Sequence, residues 1–256
     1  VTPRAAIKAG APILQLMGVS VKGYSTRTSL NSVDLTVKAH EIIGIAGVSG
    51  NGQSALAKMI SGLISPDSGE ILMHDRKVEG FSPSVMQHAG VGRIPEDRHH
   101  DGVVGAMSVA ENLVLERLYD PDVQKYGFLK HKSISSHAHK LSQDYDIRGP
   151  GIEADARLLS GGNLQKLILA RVFELKPDLI LANQPTRGLD LGAANEVARR
   201  LLEARTRGAG VLLISEDIDE VLTLSDRIIV IYDGRLVEAQ NKDREAIGLM
   251  MAGEQA

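Results

Sequence analysis

A run of glycines between an apolar strand and a helix constrains this chain more than any other feature. Glu41–Ala46 reads as a strand and Gln53–Ser61 as a helix, joined by Gly47-Val48-Ser49-Gly50-Asn51-Gly52. A strand that turns through glycines into a helix makes a cradle in which backbone N–H groups converge, and the helix N-terminus adds a positive dipole end. Gly47, Gly52 and Ser54 fall on the spacing G-x-x-x-x-G-K-[ST] of a phosphate-binding loop. Ser49, Gly50 and Asn51 contribute the intervening backbone, and the Ser54 hydroxyl is the candidate, weak Mg²⁺ ligand. The lysine position holds Gln53. An amide still donates to a phosphate, without charge. Charged hydrogen bonds contribute about 1.5–3 kcal/mol against about 1 for neutral ones, so weakened nucleotide binding is expected. Taken alone, the same residues also fit a glycine-rich turn with no ligand.

The rest of the chain alternates strands and helices. Apolar or alternating runs at Ile13–Met17, Val33–Val37, Glu70–Met73, Val91–Ile94, Asp178–Ala182, Val211–Ser215, Arg227–Tyr232 and Arg235–Glu238 predict strands. Ser108–Arg117, Lys132–Tyr145, Gly162–Glu174, Ala193–Arg205 and Asp217–Leu222 predict helices, the first with Ser108 and Glu111 spaced as a capping box. Such alternation implies an α/β fold with a largely parallel sheet. From about Asp97 to Ala156 strand signals are weak, which predicts a helical insertion.

Composition bounds the function. A length of 256 residues fits one large domain or a core with inserted subdomains. A net charge of −3 without long like-charge runs argues against a nucleic-acid partner. The absence of cysteine rules out disulfides and thiolate metal sites, and suits a reducing compartment. No apolar run reaches bilayer length, and Val1–Pro12 carries no signal-peptide pattern. A chain that starts with Val fits a piece of a longer protein or a trimmed terminus.

Two further motifs follow the glycine loop. Leu159-Ser160-Gly161-Gly162-Asn163 opens a helix that continues through Gln165, and Pro185-Thr186-Arg187-Gly188-Leu189-Asp190 comes after it. In this order the three motifs resemble the ATP-binding cassette (ABC) family across nearly the whole chain. The resemblance implies a P-loop NTPase (RecA-like) core with an antiparallel β subdomain and an inserted α-helical subdomain at about 97–160, all within 13–256, and ATP with Mg²⁺ as cofactors. It implies that Tyr24 stacks on adenine, that Glu96 takes the place where many members carry Gln, and that Asp190 is the D-loop aspartate. It also implies that Ser160, Gly161 and Gly162 serve the γ-phosphate bound by a partner cassette.

The catalytic positions depart from the pattern. The strand before Pro185 ends in Asn183-Gln184, where the family has Asp-Glu to hold the Mg²⁺ shell and polarise water; the switch-histidine position holds Glu216. Mg²⁺ prefers carboxylate oxygens, a neutral amide is no general base, and an acid near a γ-phosphate repels it. With Gln53, four catalytic positions are altered while the signature stands. A degenerate ATP site that completes a partner's site is therefore expected. "PEDR" at Pro95–Arg98, "MSVAENL" at Met107–Leu113, "LSGGN" and "QPTRGLD" resemble the second cassette of simple-sugar and nucleoside importers; "GNGQS" favours the nucleoside importers that pair with basic-membrane-protein lipoproteins, with the ribose/galactose type next. That branch implies residues 1–12 as a linker after a first cassette, in the same chain or another subunit. It also implies permease subunits that hold the domain at the cytoplasmic face of the membrane, and indirectly a substrate-binding lipoprotein. The alternatives are an autonomous ATPase, with Glu96 or Asp217 replacing the lost groups, and a non-transport cassette. His99, His100, His131, His137 and His139 read as solvated surface, and Met250-Met251 as packing on an amphipathic tail.

Overall fold

The computed structural model describes residues 7–23, 25 and 28–254. They form two compact units, one of Val1–Arg93, Pro177–Pro185 and Ala198–Ala256, the other of Ile94–Lys176 and Thr186–Val197.

The first unit opens with β1 (Pro12–Val21), β2 (Leu30–Lys38), β3 (Ile42–Ala46), α1 (Gln53–Ile60), β4 (Ser68–Met73), β5 (Arg76–Lys77), α2 (Pro83–His88) and β6 (Val91–Ile94). The second unit supplies α3 (Val109–Val114), β7 (Gln124–Lys125), β8 (Phe128–Leu129), α4 (His131–Asp144) and α5 (Gly161–Glu174). β9 (Leu179–Asn183), α6 (Leu191–Arg207), β10 (Gly210–Ser215), α7 (Ile218–Leu224), β11 (Arg227–Tyr232), β12 (Arg235–Glu238) and α8 (Arg244–Met251) complete the chain.

Two sheets make the first unit. The larger has the order β12-β11-β3-β10-β9-β6, with β11, β3, β10 and β9 parallel and β12 antiparallel. Its central strands are unbroken apolar runs buried along their length, as a sheet covered on both faces requires. The smaller sheet, β2-β1-β4-β5, pairs antiparallel, and Val33, Leu35 and Val37 of β2 alternate inward. Leu14, Leu16, Leu56, Met59, Ile60, Leu212 and Ile214 join both sheets and α1 in one core. A satellite core gathers Ala46, Val221, Ile228, Val230, Ile247 and Met251. Met251 is packed there and Met250 lies against it, as expected of the tail.

Several boundaries differ from the sequence reading. β1 runs past Met17 to Val21, carried through register shifts at Gly18 and Ser20 that blur its alternation. Gly10 and Ala11, expected to be linker, already pair with Ala39 (2.8 and 2.9 Å). Helix α2 was missed because it is only six residues long; Ser82 caps it and Pro83 occupies its first turn. The insertion is not purely helical: Tyr126-Gly127, both at positive φ, fold β7 and β8 into a two-residue hairpin. Ser108 and Glu111 form the expected capping box of α3. Among the described residues, no helix is long and apolar enough to cross a membrane.

Gly44 shows how tightly the strands are seated. A Cβ there would lie 2.1 Å from Ser225 Oγ and 2.7 Å from Val221 Cγ1, on a strand with no solvent-facing side. Gly44→Ala is expected to destabilise the first unit by about 1–3 kcal/mol through overpacking, read as a lowered urea midpoint.

Candidate functional site

The parallel register brings three strand ends level. Ser215 of β10 pairs with Ala46 of β3, and Ile214 pairs with Asn183 of β9. The glycine loop, Asn183-Gln184 and Ser215-Glu216 therefore emerge side by side at the carboxyl edge of the sheet, where open α/β sheets bind ligands.

The loop is built as the sequence spacing predicts. Gly52 is the N-cap of α1 at φ 111°, and Gly50 sits at φ 87°. Gly47 is held to glycine by crowding, since a Cβ would come within 2.6 Å of Ile231 Cγ2 and 2.7 Å of the Ile231 carbonyl. Val48, Ser49 and Gly50 face solvent, while Asn51, Gly52 and Gln53 are buried; the Ser54 residue is exposed.

Gln53 departs from the expectation. Its side chain does not extend toward a ligand position; it folds back on its own loop. Nε2 donates to the Val48 carbonyl (2.8 Å), and Oε1 accepts the Asn51 N–H (3.0 Å). An amide can cap a donor and an acceptor at once, which a lysine cannot. Asn51 extends this closure. Its Nδ2 donates to the Val48 carbonyl (2.9 Å), its Oδ1 accepts from Asp233 N (3.2 Å), and its carbonyl accepts from Gly234 N (3.1 Å). Asn31 holds the same turn from β2 through Nδ2 to the Asp233 carbonyl (2.9 Å). The loop is thus fastened to the β11–β12 turn, a link between residues so distant in sequence that no local pattern signals it.

Gln184 is also tied down. It is buried, takes φ 48°, and accepts from Glu216 N through Oε1 (3.3 Å). A non-glycine residue in this region is held there by its surroundings; here the Gln184 N–H bond to the Ile214 carbonyl (2.8 Å) fixes it. Asn183 is half-buried at the end of β9. Asp217, considered as a replacement base, caps α7 instead by accepting from Asp219 N and Glu220 N. Tyr24 lies outside the described residues.

The second unit carries the other motifs. Leu159 is buried; Ser160 is the exposed N-cap of α5, with Gly161 and Gly162 in its first turn. Asn163 arranges this end: Nδ2 donates to Ser160 Oγ (2.9 Å), and Oδ1 accepts from Arg148 N (2.8 Å). Gln165 is buried one turn on. Asp190 accepts from Ala193 N (2.9 Å) and so caps α6. Glu96 pairs with Arg187, whose carbonyl accepts from Arg98. That carboxylate is engaged by an ion pair rather than standing free. Arg98 and Arg187 were not singled out as site residues; their place in the PEDR and PTRGLD runs was the available signal.

Asn112 and Asp146 support this unit. The fully buried Asn112 accepts from Val104 N (2.8 Å) and donates to the Val104 and Ser108 carbonyls (both 3.0 Å). His137 is not simply solvated: it is half-buried 3.3 Å from Arg117, and burial pushes its pKa down. Asp146 hydrogen-bonds Arg148 and Lys166, which hold its carboxyl at about 2.

The cradle's shape and backbone fit a phosphate chain. The groups beside it are the Ser54 hydroxyl and the Asn183 and Gln184 amides, which are weaker Mg²⁺ ligands than carboxylates and are not general bases.

Two outcomes are expected. Gln53→Lys frees the Asn51 N–H and restores a cation, so Mg-ATP affinity by calorimetry rises roughly three- to thirtyfold, with turnover still absent. Asp146 has a folded-state pKa depressed from 3.8 to about 2, so its stabilisation is present above about pH 4 and is lost as pH falls towards 2. Asp146→Asn therefore flattens the acid limb of the melting temperature in that window.

Comparison with known proteins agrees with this arrangement. Residues 30–187 match the family model described as ABC transporter. The chain is 42% identical over 99% of its length to the nucleoside import ATP-binding protein NupA of Lactococcus lactis subsp. cremoris, covering 51% of that protein. It is 40% identical over 98% of its length to the guanosine import ATP-binding protein NupO of Bacillus subtilis, covering 50%. It is 36% identical over 99% of its length to a ribose import ATP-binding protein, RbsA 1, of Rubrobacter xylanophilus, covering 50%. The chain spans about half the length of the curated relatives it matches. In fold it is similar to a nucleotide-free ATP-binding cassette from an ABC transporter, with TM-score 0.73 and 22% identity, covering 94% of this chain and 96% of that one.

Proposed function

The chain belongs to the ABC transporter ATP-binding family, and from that premise we propose that it is the second cassette of a nucleoside or simple-sugar importer, with a hydrolytically silent site of its own. Its signature end completes the ATP site of a first cassette, in the same chain or in another subunit. The observation that carries this reading is an asymmetry. Gln53 closes the glycine loop from inside and Gln184 is tied to the Glu216 backbone, while Ser160 stands exposed at the N-terminus of α5.

The import reading is supported by the printed functions of NupA, NupO and RbsA 1, the reading as one of two cassettes by the half-length match, and the second position by the PEDR, LSGGN and QPTRGLD runs. In this arrangement permease subunits hold the domain at the cytoplasmic face of the membrane. A substrate-binding lipoprotein on the far side delivers cargo, and no nucleic acid is involved. Nucleosides are preferred to sugars because the amide-bearing "GNGQS" loop at Gly50–Ser54 resembles that of nucleoside importers and two nucleoside import proteins are 42 and 40% identical, although a glucose import protein of Haloferax volcanii is also 42% identical. An autonomous ATPase fits less well, because Glu96 pairs with Arg187 and Asp217 caps α7.

The test is made on the full two-cassette protein. Ser160→Arg is expected to lower its steady ATP turnover by about a hundredfold or more, in the range of a lost oxyanion contact, while Gln53→Ala changes turnover by less than about threefold. Equal losses from both variants, or turnover untouched by Ser160→Arg, contradict the reading.

A further inference from the structure

Unused by any of this chemistry, the β7–β8 hairpin of the second unit exposes apolar surface. The chain has only 3 Phe and 5 Tyr and no Trp. Tyr119, Tyr126 and Phe128 lie within ten residues of one another yet are 89, 88 and 80% exposed. Leu118 and Leu129 are exposed beside them in sequence.

The hairpin is well anchored. Val123 is buried, and its carbonyl accepts from Lys130 N (2.8 Å). Gln124 Oε1 accepts from Gly127 N (2.8 Å), closing the turn, and Lys130 Nζ reaches the Pro121 carbonyl (2.6 Å). Tyr126 occupies the turn at φ 54°, where Asn or Gly is the ordinary choice. A large aromatic is thereby carried at the tip of the hairpin. Register pairs Lys125 with Phe128, so a cation and an aromatic share one face. The Lys125 ammonium lies 5.3 Å from the Tyr126 ring centroid.

Charge completes the picture. The acids nearby, Asp120 and Asp122, are both taken by Arg117 (2.7 and 2.8 Å). Lys125, Lys130 and Lys132, with His131, then present positive charge, and among the described residues none of them pairs with a carboxylate. Exposed Tyr and Phe interleaved with Lys on a projecting turn match the chemistry of a bilayer interface, where rings lodge at headgroup depth and lysines meet anionic lipid.

We propose that this hairpin touches the membrane directly, through Tyr126 and Phe128 at the headgroup level and Lys125, Lys130 and Lys132 on anionic phospholipid. This contact does not depend on the state of the nucleotide site.

Because the chain has no tryptophan, Phe128→Trp provides a single reporter. The 256-residue chain carrying it is titrated with vesicles of phosphatidylcholine containing a third phosphatidylglycerol, and with vesicles of phosphatidylcholine alone. A blue shift of the emission is expected with the anionic vesicles only. In co-sedimentation, Lys125→Glu is expected to weaken binding at least about fivefold. The pair Tyr126→Asn and Phe128→Ser is expected to abolish binding while the melting temperature stays unchanged. Emission that does not move with anionic lipid overturns the proposal. So does an equal shift with neutral vesicles, or a shift that follows protein concentration in the absence of lipid, which assigns the patch to self-association. Failure of the Ser160 test above leaves this result unaffected, since vesicle binding is read without nucleotide.

Discussion

The level ending of three parallel strands is the constraint on which the site depends. Hydrogen-bonded register places Ala46, Ser215 and Asn183 at one edge, and the candidate positions from Gly47 to Ser54, Asn183, Gln184 and Glu216 continue those strands. Close packing on both faces holds that register, because each strand residue meets a side chain or backbone of fixed size. Gly44, closed in by Ser225 and Val221, shows how little freedom is left. The loops at that edge inherit their positions from the core.

What the loops do with those positions is a matter of charge. Gln53 and Asn51 spend their amide groups on the loop and on the Asp233–Gly234 turn. Gln184 spends its carbonyl on the Glu216 N–H. An amide suits these tasks because it donates and accepts together, and for the same reason it supplies neither a cation for phosphate nor a base for water. On the proposed reading, these amides keep the shape of the site and lack the electrostatics that hydrolysis needs.

Much of this was legible in sequence. The glycine spacing fixed the cradle, the Ser108–Glu111 pair fixed the start of α3, and apolar runs located the parallel strands. Periodicity failed where elements are short or irregular. β1 shifts register at Gly18, α2 is a single capped turn and a half, and the β7–β8 turn uses Tyr126 in a conformation that sequence statistics assign to Gly or Asn. The inward fold of Gln53 was also beyond reach. It depends on Val48 and Asn51 meeting in three dimensions, and the sequence reading had pointed that amide at phosphate. Capping by Asp217 and pairing of Glu96 with Arg187 are likewise contacts that a carboxylate in sequence leaves open.

The proposed silence of this cassette's own ATP site is read by single-turnover phosphate release. The chain, in excess over radiolabelled Mg-ATP, is followed for an hour at neutral pH. The account predicts release no faster than buffer alone. Release well above that background, abolished by Ser54→Ala, would contradict it and would mean that a group other than those at Asn183, Gln184 and Glu216 activates the water.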